Sequence, residues 1–190
     1  TGRMGYALAE ALAGLGAQVT LVSGPTGLPA PLCAQRILVE TAAQMHAAVM
    51  EHIAECDLFA ATAAVADYRP VQAEPRKIKK SQEELHLRLV RNPDILAEVA
   101  ARPRPPFTLG FAAETDAIED YALAKLRQKG IDLIAANRVG GPVGGFERDE
   151  NALVVLWRDG RLELPLMPKS LLAKELAQLV AERYAASSRG

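Results

Sequence analysis

Short β-rich apolar runs alternate along this chain with segments whose apolar residues recur at helical spacing, and that alternation restricts the fold more than any other feature. Residues 18–22, 36–40, 57–61, 108–112 and 131–135 are strand-like. Between them, Met4, Ala7, Leu8, Ala11, Leu12 and Leu15 mark one helical face that Gly14 and Gly16 bring to a stop. Thr41 to Gln44 has the pattern of a capping box opening a helix that runs to about Glu55, and residues 116–129 form another periodic segment. A last helix is expected from about Pro168, with Leu171, Leu172, Leu176, Leu179, Val180 and Tyr184 on its apolar side and a frayed tail over 187–190. Strands alternating with helices predict an α/β fold with a parallel sheet covered on both faces.

Two regions depart from the alternation. Leu85, Leu87 and Leu89 fall on one face of an alternating stretch over 84–90, and residues 151–157 and 161–166 flank Arg158-Asp159-Gly160 as a hairpin would. Both are expected to be antiparallel and to form an extension.

At 190 residues, 49% of them hydrophobic, the chain fits one domain with a sizeable core. Its 22 Lys and Arg against 23 Asp and Glu give a net charge of −1, which excludes a whole-molecule field for nucleic acid or an anionic membrane. Any basic site must be local. Apolar runs stay short of the ~20 residues that span a bilayer, and no leader of the secretory type opens the sequence, so a soluble, cytoplasmic protein is expected. Cys33 and Cys56 are far apart in apolar segments and read as buried free thiols. The chain starts at Thr1 and turns helical at once, as a piece of a longer polypeptide would.

In open α/β sheets ligands sit beyond the carboxyl ends of the strands, which directs attention to the loops after 61, 112 and 135. The first, Ala63-Ala64-Val65-Ala66-Asp67-Tyr68-Arg69, places small residues where a ligand can approach backbone, then a carboxylate and a guanidinium. A tight crossing from strand to loop would use alanines equally well. Next comes Arg76-Lys77-Ile78-Lys79-Lys80, either a solvated charged loop or a cationic segment suited to a reacting polyphosphate. Asn92-Pro93-Asp94-Ile95-Leu96 reads as a helix start, with Asn92 as N-cap and Pro93 at the first helical position, close to the cations Arg88 and Arg91. Lys125 and Lys129 share a helical face, where interaction with the helix dipole would account for them as well as ligand binding. His46, His52 and His86 lack ligand spacing, so no metal site is assigned.

The succession Gly2-Arg3-Met4-Gly5, Val19 to Pro25, Ala64 to Arg69, Lys77 to Lys80, Asn92 to Ile95, Gly110-Phe111-Ala112-Ala113-Glu114-Thr115 and Ala136-Asn137 closely resembles phosphopantothenate-cysteine ligase, in order and over essentially the whole chain. In bacteria that ligase is usually the carboxy-terminal half of a bifunctional coenzyme A biosynthesis protein, so the resemblance implies a flavin-dependent decarboxylase half on the parent polypeptide and no flavin in this chain. It implies a Rossmann-like sheet, a homodimer formed through the antiparallel extension, and CTP-dependent ligation of L-cysteine to 4'-phosphopantothenate through an acyl-cytidylate. Carried over position by position, the CTP contacts fall on Asp67, Lys77, Pro93, Asp94, Ile95, Leu96, Phe111, Lys125 and Lys129, while Ala63 and Ala64 line the phosphopantothenate pocket. Lys77 is the expected catalytic residue, closing over the intermediate as a lid does. Magnesium is implied by the triphosphate, with no ligands assigned.

The chain departs from the family pattern in two ways. Thr1 stands where Ser is usual and Arg3 where Lys is common. Family members also carry a strand, a Gly-rich turn and an Asn just before the position of Thr1, so residues 1–190 are expected to form one ligase domain that begins after them.

Two other classes compete. Tyr121 and Lys125 fit the Tyr-x-x-x-Lys of short-chain dehydrogenases, with Thr108 upstream, but the strand ending Val22-Ser23-Gly24 lacks the acidic residue that would hold a ribose, and Gly2 and Gly5 do not make G-x-G-x-x-G. A non-enzymatic protein would use the hairpins as a binding surface and leave the basic loop solvated.

Overall fold

The computed structural model describes residues 2–32, 34–72, 86–114, 118–138 and 149–187. Helix α1 (Arg3–Gly14) opens the chain and is followed by strands β1 (Val19–Ser23) and β2 (Ala34–Leu38), then α2 (Ala42–His52) with a 3-10 turn (Ile53–Glu55). Strands β3 (Leu58–Ala61), β4 (Tyr68–Pro70) and β5 (Leu89–Arg91) precede α3 (Ile95–Ala100), β6 (Phe107–Glu114), α4 (Ile118–Lys129) and β7 (Leu133–Arg138). The hairpin β8 (Glu150–Trp157) and β9 (Gly160–Pro168) leads into α5 (Lys169–Ser187).

The main sheet has the order β3-β6-β7-β8-β9, parallel through β7 and antiparallel beyond it. β1 and β2 pair in parallel as a separate two-stranded sheet, and β4 pairs antiparallel with β5. The α/β expectation therefore stands, with the antiparallel elements distributed differently. The hairpin over 150–168 is built into the main sheet against β7, because alternate residues Asn151, Leu153 and Val155 bury on one face of β8, and Leu156 adds to the second core. The element standing apart is the β4–β5 ribbon, whose apolar residues Tyr68, Val71, Leu87 and Leu89 are exposed. Residues 84–85 of the alternating stretch lie outside the described residues.

Two cores hold the sheet. On one face Leu8 of α1, Leu172, Leu176 and Val180 of α5, and Leu109, Leu133 and Val155 of the strands pack together, each of the leucines contributing about 1.5–3 kcal/mol by leaving water. On the other, Leu96, Ala122, Leu126, Ile134 and Leu156 join α3 and α4 to the strands. Leu171, expected on the buried side of α5, is exposed, since the helix turns 172, 176 and 180 inward instead. Cys56 is only half-buried, donating its S–H to the His52 carbonyl, and Cys33 lies outside the described residues.

Local signals set the element starts. At α2 the Gln44 N–H donates to Thr41 Oγ1 at 3.1 Å and the Thr41 N–H to Gln44 Oε1 at 2.9 Å, the reciprocal capping box read from the sequence. Gly2 caps α1 in the left-handed region at φ 74°, where a side chain is strained. One turn on, a Cβ at Gly5 would fall 2.5 Å from Thr62 Oγ1, so only glycine lets α1 start against the end of β3.

Candidate functional site

A cleft of about 590 Å³ opens at the carboxyl ends of the parallel strands. Its floor and walls come from Thr62 to Ala66 after β3, Phe111 to Ala113 at the end of β6, and Asn137 at the end of β7. Ser23 to Thr26 after β1, Val39 to Ala42 after β2, the first turn of α1, Asn151 and Lys169 complete it. Ala63 and Ala64, expected at the acid, and Phe111, expected at the nucleotide, line this one cavity. Small side chains over 62–66 leave backbone within reach of a ligand, and Phe111 supplies an apolar wall.

The loop that carries Ala63 to Asp67 is held by Asn92. Asn92 is 8% exposed; its Nδ2 donates to the Ala66 carbonyl at 2.8 Å, its N–H to the Asp67 carbonyl at 2.8 Å, and its Oδ1 accepts from Arg69 Nη1 at 2.9 Å. These bonds correct the reading of Asn92 as an N-cap. The cap of α3 is Asp94, whose side chain accepts from the Ala97 N–H at 3.1 Å, and Pro93 precedes the cap instead of occupying the first helical position. Asn92 is committed to the loop, so the helix begins later. Its role as a loop clamp was not legible, because the partners lie 23 and 26 residues away.

Among the expected nucleotide contacts, Pro93 and Asp94 are exposed while Ile95 and Leu96 bury their side chains in two different clusters, with Val49, Ile53 and Val99 and with Ala122, Leu126 and Ile134. Only their backbone is left for a ligand. Lys129 Nζ lies 2.8 Å from Asp94 Oδ2, and half-buried Lys125 precedes it by one turn on α4. Burial pushes the Asp94 carboxyl up, but hydrogen bonds from Lys129 and the Ala97 N–H, with the charges of Lys129 and Arg91, together hold it below the usual carboxylate range. Asp67 is exposed at the loop end, its carbonyl accepting the Asn92 N–H, and neither it nor residues 93–96, Lys125 and Lys129 are among those lining the cleft. Lys77 and the basic segment around it lie outside the described residues.

His46 and His52 have structural partners. His46 Nε2 meets Glu98 at 2.7 Å and His52 Nδ1 the Ala48 carbonyl at 2.9 Å. Among the described residues no group of three or more His, Cys, Asp or Glu is placed to hold a metal. Tyr121 is 57% exposed on α4, and Thr108, 1% exposed, is tied to Asp132 at 2.7 Å, so the residues that fit a dehydrogenase pattern do not converge in the cleft.

Residues 1–184 match the family described as the DNA/pantothenate metabolism flavoprotein C-terminal domain. The chain belongs to that family. It is 48% identical over 186 residues to the coenzyme A biosynthesis bifunctional protein CoaBC of Vibrio cholerae, covering 96% of this chain and 47% of the relative. The CoaBC protein of Escherichia coli K12 is 46% identical over 193 residues, covering 100% and 48%. The chain spans about half the length of these relatives. A crystal structure of the C-terminal domain of CoaBC superposes with a TM-score of 0.77 at 38% identity, over 96% of this chain and 83% of the other. Among the described residues no helix is long and apolar enough to cross a membrane.

Proposed function

We propose that this domain catalyses CTP-dependent ligation of L-cysteine to 4'-phosphopantothenate in coenzyme A biosynthesis. One observation supports the reading above the others: Asn92, which fastens the small-residue wall of the cleft through the Ala66 and Asp67 carbonyls, stands two residues before Asp94, the ion-pair partner of Lys129, so the chain runs directly from a wall suited to an acid substrate to the residues the resemblance implies for the nucleotide.

The substrate carboxylate oxygen attacks the α-phosphorus of CTP, the bond to the bridging oxygen breaks, and pyrophosphate leaves. The cysteine amine then attacks the acyl carbonyl, loses a proton and displaces CMP. Such transfers need positioning and positive charge near the leaving group more than covalent help. In this reading the backbone at 93–96 faces the base, Phe111 walls the intermediate, and Ala63 and Ala64 line the pantothenate arm. An ammonium has three donors, so Lys129 can keep Asp94 and still reach a phosphate, with Lys125 beside it. Lys77 closes over the intermediate. Magnesium enters with the triphosphate as part of the substrate. The exposed apolar residues of the β4–β5 ribbon support a homodimer through that element, since open edges of this kind favour pairing. A flavin-dependent decarboxylase half on the same polypeptide is consistent with the length of the bifunctional relatives.

The test is calorimetric titration with CTP, ATP and NADPH in magnesium buffer. Selective binding of CTP is expected; NADPH binding without CTP would overturn the reading in favour of a dehydrogenase.

A further inference from the structure

The cleft is walled by two sheets that share no strand pairing among the described residues, β1 and β2 in one and the main sheet in the other. The first turn of α1 touches both. Gly5 lies against Thr62 at the end of β3, and one residue later Tyr6 reaches Ser23, the last residue of β1. Tyr6 is 8% exposed and Ser23 7%, both line the cleft, and the phenol oxygen is 2.9 Å from Ser23 Oγ. Counting protons gives that bond its direction. A serine hydroxyl has one proton, and Ser23 Oγ donates it to the Gly24 carbonyl at 3.0 Å, so the phenol is the donor and Ser23 the acceptor. The chain of bonds from Tyr6 through Ser23 to the Gly24 carbonyl fixes the start of the loop over Ser23 to Thr26, which walls the cleft. The Ser23 carbonyl is held too, accepting the Val39 N–H at 2.9 Å beyond the end of β2. Phenylalanine would bury the same ring; the hydroxyl adds the tie to the loop.

We propose that Tyr6 is a positioning residue: through Ser23 it keeps the 23–26 loop in the conformation that receives substrate, so loss of its hydroxyl weakens binding and leaves the chemical steps alone. The identity of the substrates rests on the ligase reading. A loop that spends part of its time in other conformations lowers the apparent affinity by the fraction that is binding-competent, while the complex, once formed, reacts at its former rate.

Tyr6→Phe, Ser23→Ala and the double variant are compared with wild type in two measurements, with Tyr121→Phe as the control that removes an exposed phenol hydroxyl. Hydrogen exchange, read by mass spectrometry on peptides covering 19–28, needs no substrate, and faster exchange at Gly24 and Thr26 is expected in both single variants. Steady-state kinetics with CTP, 4'-phosphopantothenate and cysteine are expected to show KM for CTP or for the acid raised by about three- to tenfold in Tyr6→Phe, as for loss of one hydrogen bond, with kcat unchanged. The double variant should be no worse than Ser23→Ala, because the two residues share the bond. Wild-type KM for both substrates in Tyr6→Phe overturns the proposal, whether or not exchange is faster, as does a fall in kcat at unchanged KM. Effects that multiply in the double variant overturn it as well. Should Tyr6→Phe fail to fold, Ser23→Ala carries the same comparison. Absence of turnover by the wild type would instead remove the ligase reading, and the exchange result would still decide whether Tyr6 holds the loop.

Discussion

Lys129 Nζ lies 2.8 Å from Asp94 Oδ2, an ion pair that ties the last turn of α4 to the residue capping α3. The two residues are 35 positions apart, and both fall where the family resemblance implies nucleotide contacts.

This pair makes the acid side of the stability profile specific. Asp94 has a folded pKa below its ordinary 3.8, so its contribution to stability is complete above that value and is lost as pH falls through the lowered folded pKa. Lys129→Met is expected to raise the Asp94 pKa, followed by carbon-detected NMR titration, and to weaken CTP binding by about tenfold. An Asp94 titration unmoved by the substitution would contradict the pairing.

Asn92→Ala removes two side-chain hydrogen bonds at once, to the Ala66 carbonyl and from Arg69, while the backbone bond to the Asp67 carbonyl remains. A loss of about 1–3 kcal/mol in urea unfolding is expected, because two hydrogen bonds worth about 0.5–1.5 kcal/mol each are removed. KM for the acid substrate should rise with it. Unfolding like that of wild type would show that the loop is held elsewhere.

Gly5→Ala places a Cβ 2.5 Å from Thr62 Oγ1. Overpacking of this sort costs about 1–3 kcal/mol. Thr62→Ala in the same chain should return much of the loss by removing the hydroxyl, and a double-mutant cycle measured by thermal unfolding reads the coupling directly. Additive effects would place the strain outside this contact.

What could be read from the sequence follows how local each signal is. The Thr41–Gln44 capping box is complete within four residues, and the structure reproduces it bond for bond. Strands β3, β6 and β7 were legible as apolar runs because both faces are covered. The destination of the β8–β9 hairpin was not, since its own alternation says nothing of pairing with β7. Likewise Asn92 next to Pro93 has the look of a cap, and only its contacts to Ala66 and Arg69 reveal a clamp. Of the cleft's lining, the alanines at 63 and 64 were legible as small residues after a strand end, whereas Phe111, inside β6, was singled out only by the family resemblance. Lys169 was missed: a lysine after a proline at a helix start carries no sign of burial.

Lys77→Gln should leave CTP binding within a few-fold of wild type while product formation falls by about a hundredfold or more, as expected when a positioned group acts on the reaction rather than on binding. Steady-state rates together with calorimetry separate the two. Turnover equal to wild type would remove the lid role.

The central claim is that the acid is activated as an acyl-cytidylate, and oxygen transfer tests it most directly. With 4'-phosphopantothenate labelled with ¹⁸O in its carboxylate, CTP and cysteine, the account predicts that one ¹⁸O appears in the phosphate of CMP as phosphopantothenoylcysteine forms, read by mass spectrometry. Product formed alongside unlabelled CMP, or formed with CDP and inorganic phosphate in place of CMP and pyrophosphate, would contradict it.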